Sequence, residues 1–114
     1  MILRNRQTGA ALATRVERAS TLLRRMRGLL GRRELPEGEA LLIEPCASIH
    51  TLFMRFPIDV IFLSRELRVL RAISGLRPCR ATRFHVGAAM AVELPEGALV
   101  RTGTQEGDLL ELEV

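Results

Sequence analysis

The chain has 114 residues, 47% hydrophobic and 26% charged, with 17 basic residues against 13 acidic ones and a net charge of +4. This length fits one domain, residues 1–114, and the balance excludes an intrinsically disordered chain. With no Trp, no Tyr and only 4 Phe, surfaces that stack bases are poorly served, and the core must be built from Leu, Ile, Val, Ala and Met.

Residues 1–6 read as a short strand ended by the turn-prone Gln7-Thr8-Gly9, and residues 10–18 as an ambiguous stretch with room for a second strand. Ser20 suits a helix N-cap. Leu22, Leu23, Met26, Leu29 and Leu30 follow at helical spacing, opposite Arg24, Arg25 and Arg27, and Gly31 closes the helix. Leu35-Pro36-Glu37-Gly38 is a turn. Strands are then predicted at residues 40–44 and 58–63, with 67–73 as the hairpin partner of the latter. Residues 48–56 read as extended and mixed, and 75–84 as an Arg-rich loop. Residues 86–94 alternate, with Ala88, Met90, Val92 and Leu94 on one face. A second Leu-Pro-Glu-Gly turn follows at 94–97, and Leu110, Leu112 and Val114 mark a last strand. The expected fold is α+β and β-rich. It is a compact antiparallel barrel, or a strongly bent sheet, of six to seven short strands, with one helix in the N-terminal half packed against it.

Two acids stand out. Asp59 lies among Ile58, Val60, Ile61 and Phe62, where an unpaired carboxylate would be costly. It either anchors backbone amides, pairs with an Arg, or serves a ligand. Glu93 shares its strand face with only Ala89 and Ala91, leaving room for a ligand or an Arg side chain.

Cys46, His50, Cys79 and His85 make a Cys₂His₂ inventory, but no two cysteines have the close spacing of a zinc knuckle, and no metal is assigned. Two cysteines are too few to staple a secreted scaffold; both read as small buried apolar residues, with a Cys46–Cys79 disulfide as the alternative. On an extended segment Cys46 and His50 would stand about 13 Å apart, which argues against a thiol–imidazole pair.

The Arg residues of the predicted helix read as a solvated face or a docking surface for a partner; without a recognition-helix signature or stacking aromatics they argue against nucleic acid. The use of Arg alone, spread along the whole chain, reads as coding bias. Walker, dinucleotide, nucleophile-elbow and zinc-protease motifs are missing, so no cofactor is implied. No run approaches the ~18 apolar residues of a membrane span. Residues 1–6 lack the pattern of a secretory signal, which as written places the chain in the cytoplasm.

Read in order, Arg27-Gly28-Leu29-Leu30-Gly31, Ala40-Leu41-Leu42-Ile43, His50-Thr51-Leu52-Phe53-Met54, residues 57–63, Val69, Pro78, residues 91–97 and Gly107-Asp108 span most of the chain. This ordered set resembles the family known as domain of unknown function 192. The resemblance implies a small β-rich domain with a helix near its N-terminus. It also implies that Asp59, Glu93 and Asp108 fall at the family's characteristic acidic positions. It supplies no activity, and it implies that many relatives are exported. Ser64-Arg65-Glu66-Leu67 departs from the Asp/Gly turn usual there.

The resulting expectation is a non-enzymatic binding module, monomeric, for a small polar ligand or a protein partner. Its candidate ligand-binding residues are His50, Asp59, Glu93 and Asp108, with the Arg-rich loop after Gly75 as further candidate lining, and its candidate partner-binding residues are Arg24, Arg25 and Arg27. The alternatives are a hydrolase using Asp59 or Glu93 with His50, and a module docking through the basic helix.

Overall fold

A computed structural model describes residues 1–19, 34–51 and 54–114. Along them run β1 (Ile2–Asn5), β2 (Ala11–Ala13), β3 (Arg15–Ala19), β4 (Glu39–Ile43), β5 (Ile58–Leu63), β6 (Val69–Leu76), β7 (Met90–Pro95), a helix α1 (Ala98–Thr102) and β8 (Leu110–Glu113). The helix predicted at residues 20–31 lies outside the described residues, and with it Arg24, Arg25 and Arg27.

The strands form a three-stranded sheet ordered β2-β1-β8 and a five-stranded sheet ordered β3-β4-β7-β5-β6. Every side chain of β5 is fully shielded from solvent, as its nearly unbroken apolar run requires. The centre of the large sheet is therefore buried on both faces. Leu42, Ile61, Leu63, Val92 and Leu94 pack with Leu3, Leu12, Leu99 and Leu110 beneath the small sheet and α1. Leu41, Ile43, Val60, Phe62 and Ala91 pack on the opposite face with Leu35, Ile49, Met54 and Phe56.

The chain is mostly β, as expected, but the antiparallel barrel or strongly bent sheet is met only in part, and two features differ. First, β3 and β4 are parallel, in register from Arg15↔Glu39 to Ala19↔Ile43. Side-chain alternation reports which face is buried but not the direction of the neighbouring strand. Second, no closed barrel forms among the described residues. The two sheets are stitched at their margins instead, by Val16 N–H to Met1 O at 3.2 Å and by Leu110 N–H to Leu67 O at 2.9 Å.

Element boundaries also move. β6 runs on to Leu76, into the predicted loop, while β7 begins only at Met90, after a turn in which Gly87 has φ +88°. The described residues of 48–56 are irregular apart from a bridge between His50 and Ala81.

At the β5–β6 hairpin, Leu67 takes the place of the usual glycine with φ +69°, a conformation costing about 1 kcal/mol or more for such a side chain. Packing of Leu67 against the first core cluster offsets that cost, as does the bond from its N–H to Ser64 O at 3.0 Å. In the same turn, a backbone amide and the Ser64 hydroxyl hold the Glu66 carboxyl below its ordinary range.

Candidate functional site

Asp59 lies on the face of β5 that carries Ile61 and Leu63, and it is fully buried. Its Oδ1 accepts the Gly75 N–H at 2.9 Å, and its Oδ2 accepts the N–H groups of Gly97 at 3.1 Å and Leu99 at 3.0 Å. The carboxylate thus ties β6 to the start of α1, whose N-cap, Gly97 at φ +95°, has no side chain to do so. Of the alternatives open to Asp59, the amide anchor is the one the geometry realises.

Glu93, also fully buried, pairs in register with Val60 and Leu41. It shares a face with Ala91, which belongs to the second core cluster. Asp59 and Glu93 therefore stand on opposite faces of the same sheet and do not form one site.

Asp108 is part of a third arrangement. Its Oδ2 accepts the Asn5 side-chain amide at 2.9 Å and the Gln105 N–H at 3.0 Å. The same Asn5 Nδ2 donates to Thr104 Oγ1 at 3.1 Å, and Asn5 Oδ1 accepts the Gln7 N–H at 2.8 Å. Thr104 Oγ1 lies 2.7 Å from Thr102 Oγ1, which donates to Ala98 O at 2.8 Å. This buried network fastens the end of α1 to β1. Sequence reasoning missed Asn5 and both threonines; the one available signal was a polar Asn5 on the same alternating face as Leu3.

His50 is half-buried, and its backbone bridges Ala81. Beside it the fully buried Thr51 organises the Arg-rich turn: its hydroxyl donates to Arg77 O at 2.6 Å and accepts the Arg80 N–H at 2.9 Å. Thr82 and Ile49 exchange backbone and side-chain bonds, and the His85 N–H reaches Ala47 O at 2.9 Å. Residues 77–86 are thereby laid along residues 47–51, leaving Arg77, Arg80, Arg83, Phe84 and Val86 exposed.

Between this segment and β6 runs a groove of about 690 Å³, lined by Leu70, Arg71, Ile73 and Leu76 on one side and residues 81–86 on the other. Phe84 is 72% and Val86 89% exposed. His85 lines the groove too, its ring tilted against Phe62 with centroids 4.3 Å apart. None of His50, Asp59, Glu93 and Asp108 lines it.

No disulfide joins Cys46 and Cys79, so that alternative is not realised. Cys79 is exposed in a turn at φ +61°, contrary to the buried place expected of it, whereas Cys46 is half-buried with its Sγ 3.0 Å from Ser48 O. Titration with a thiol reagent is expected to label Cys79 first and Cys46 more slowly; a protein in which neither reacts until reduced would contradict this assignment. Among the described residues, no three His, Cys, Asp or Glu side chains cluster as metal ligands, and no helix is long and apolar enough to cross a membrane.

The family model and the sequence relatives agree on one family. Residues 3–112 match the family model DUF192, described as "Uncharacterized ACR". A UPF0127 protein of Thermococcus sibiricus is 32% identical over 120 residues, covering 99% of this chain and 75% of that protein. Another, from Pyrococcus furiosus, is 32% identical over 108 residues and covers 90% of each. Among solved structures, a protein of unknown function from Novosphingobium aromaticivorans superposes with a TM-score of 0.81 at 23% identity, over 97% of this chain and 82% of that one.

Proposed function

The chain belongs to the DUF192 family, and from that premise we propose that it is a non-enzymatic binding module whose ligand occupies the groove between β6 and residues 81–86. The observation behind this reading is the pairing of exposed apolar groups with guanidinium groups in one concave surface. Phe84, Val86 and Leu70 stand exposed beside Arg71 and Arg83. Planar guanidinium forks suit a carboxylate or a phosphate, and the exposed ring and aliphatic groups suit an apolar portion of the same ligand. His50, bridged to Ala81 at one end of the groove, supports the shape of that wall.

The hydrolase alternative receives less support. A general acid or base must exchange its proton with substrate, whereas the Asp59 oxygens are engaged by three backbone amides. In this proposal Asp59, Glu93 and Asp108 maintain the scaffold and the groove makes the contacts.

The test is the melting temperature in the presence of phosphate, citrate, octanoate or a short acidic peptide. At least one is expected to stabilise the protein. A double variant, Arg83→Glu with Phe84→Ser, should lose that response while its own melting temperature stays within about 2 °C of the parent, since both residues are exposed. Arg65→Glu, at an exposed site on the hairpin turn, should keep the response. If no anion stabilises the protein, or if the double variant responds like the parent, the groove is not the binding site.

A further inference from the structure

β6 ends the five-stranded sheet, with β5 on one side only. Its first residue is held on the other side, by Val69 N–H to Asp108 O and Gly107 N–H to Val69 O, both 2.8 Å. From Leu70 to Leu76 no strand among the described residues pairs with that outer edge. Such an edge presents backbone donors and acceptors to any extended chain. It is also long enough, at about 20 Å, to pair with a segment of six or so residues.

Two features suit this edge to a particular occupant. The first is a cavity on each face of the strand. Arg71 and Ile73 line the groove already described, whereas Ala72 and Ser74 line a second cavity of about 570 Å³, formed with Leu99, Val100 and residues 103–106. An added strand sends successive side chains to opposite faces, so its side chains would alternate between the two cavities.

The second feature is charge. Arg71 and Arg83 line the first groove, none of whose lining residues is acidic, and Arg77 and Arg80 are exposed on the same segment. The chain's own Glu106 already imitates the visitor. Its Oε1 accepts from Arg71 Nη1 at 3.0 Å and, in a long bond of 3.4 Å, from the Ala72 N–H. That amide therefore points away from β5 and is capped by a carboxylate at a distance where little is lost on displacement.

We infer that the occupant is an extended acidic segment of a partner protein, added as a further strand to the outer edge of β6 in place of the Glu106 cap. This rests on the reading of the groove as a binding site. Main-chain bonds would supply the affinity, and the two cavities would select alternate side chains.

The test uses a dye-labelled octapeptide of alternating Glu and Val, followed by fluorescence anisotropy. It is compared with two versions N-methylated at every second amide, on the Glu or on the Val residues. In strand addition one set of amides faces β6 and the other faces solvent. One methylated version should therefore lose about tenfold or more in affinity, while the other binds nearly as the parent does. Glu106→Ala should tighten binding several-fold by removing the competing carboxylate, and Arg83→Glu should weaken it about tenfold.

Equal binding of both methylated versions would overturn strand addition while leaving the groove as a side-chain binding site. The same holds if the peptide fails to bind while phosphate, citrate or octanoate still stabilises the protein. If the protein self-associates and Glu106→Ala strengthens that association, the edge is covered by a second copy and the partner inference is wrong. Failure of every probe would overturn the groove reading itself.

Discussion

Asp59→Asn should lower the melting temperature by about 10–20 °C, a loss of about 3 kcal/mol. The carboxylate is fully buried and both its oxygens accept from backbone donors, Oδ1 from Gly75 and Oδ2 from Gly97 and Leu99. An asparagine can present only one oxygen. If it faces Gly97 and Leu99, its amide group is forced against the Gly75 N–H; turned round, it confronts two donors instead of one. Either way a buried donor is left opposite another donor. Hydrogen exchange should accelerate first at Gly75 and along residues 97–102, because those amides lose their acceptor. Acids kept for binding or catalysis commonly cost stability, so their neutralisation often stabilises a fold. A melting temperature unchanged or raised in Asp59→Asn would therefore sink the anchor assignment.

The second large effect is expected at Asn5. Asn5→Leu removes the donor to Thr104 and Asp108 and the acceptor of the Gln7 and Thr8 amides. It leaves Asp108, only 8% exposed, with the Gln105 amide as its remaining partner in that network. The expected cost is again about 3 kcal/mol. Asn5→Asp preserves shape but sets two carboxylates against each other at hydrogen-bond distance. It should destabilise more in neutral solution than in acid, where a shared proton relieves the repulsion. Chemical denaturation of the two variants at both conditions checks this. Equal losses for Asn5→Asp in acid and neutral solution would show that Asp108 does not depend on Asn5.

The two copies of Leu-Pro-Glu-Gly illustrate what the chain discloses before folding. Both end on a glycine in the left-handed region, Gly38 at φ +89° and Gly97 at φ +95°, as their turn chemistry implies. The first leads into β4 and the second into α1. The difference lies outside the tetrapeptides: the Gly38 carbonyl accepts the Thr14 and Arg15 amides, whereas the Gly97 and Leu99 amides meet Asp59. A five-residue helix fixed by a carboxylate about 40 positions away leaves no periodicity to read.

Strands such as β5 were legible because burial on both faces demands an unbroken apolar run, and β8 because one-sided burial leaves alternation. Asp59 was recognisable as a buried acid needing partners, but the partners were backbone amides of remote segments and carry no side-chain signature. The placement of Asp59 and Glu93 on opposite faces follows from the register of Val60 with Glu93 and Asp59 with Leu94, which long-range pairing decides. The Arg-rich loop after Gly75 was legible as candidate lining, but the groove it forms with β6 was not. That groove depends on Thr51 and Thr82, ordinary residues whose hydroxyls tie the Arg-rich segment to residues 49–51.

The most direct test of the division between anchoring acids and a contacting groove is amide chemical-shift mapping of the ¹⁵N-labelled protein during titration with the alternating Glu–Val octapeptide. Saturable shifts concentrated at residues 70–76 and 81–86, with residues 91–94 unmoved, are the predicted result. Shifts centred on Glu93 and its neighbours, with the groove silent, would contradict it and return the search for the ligand to the buried acids.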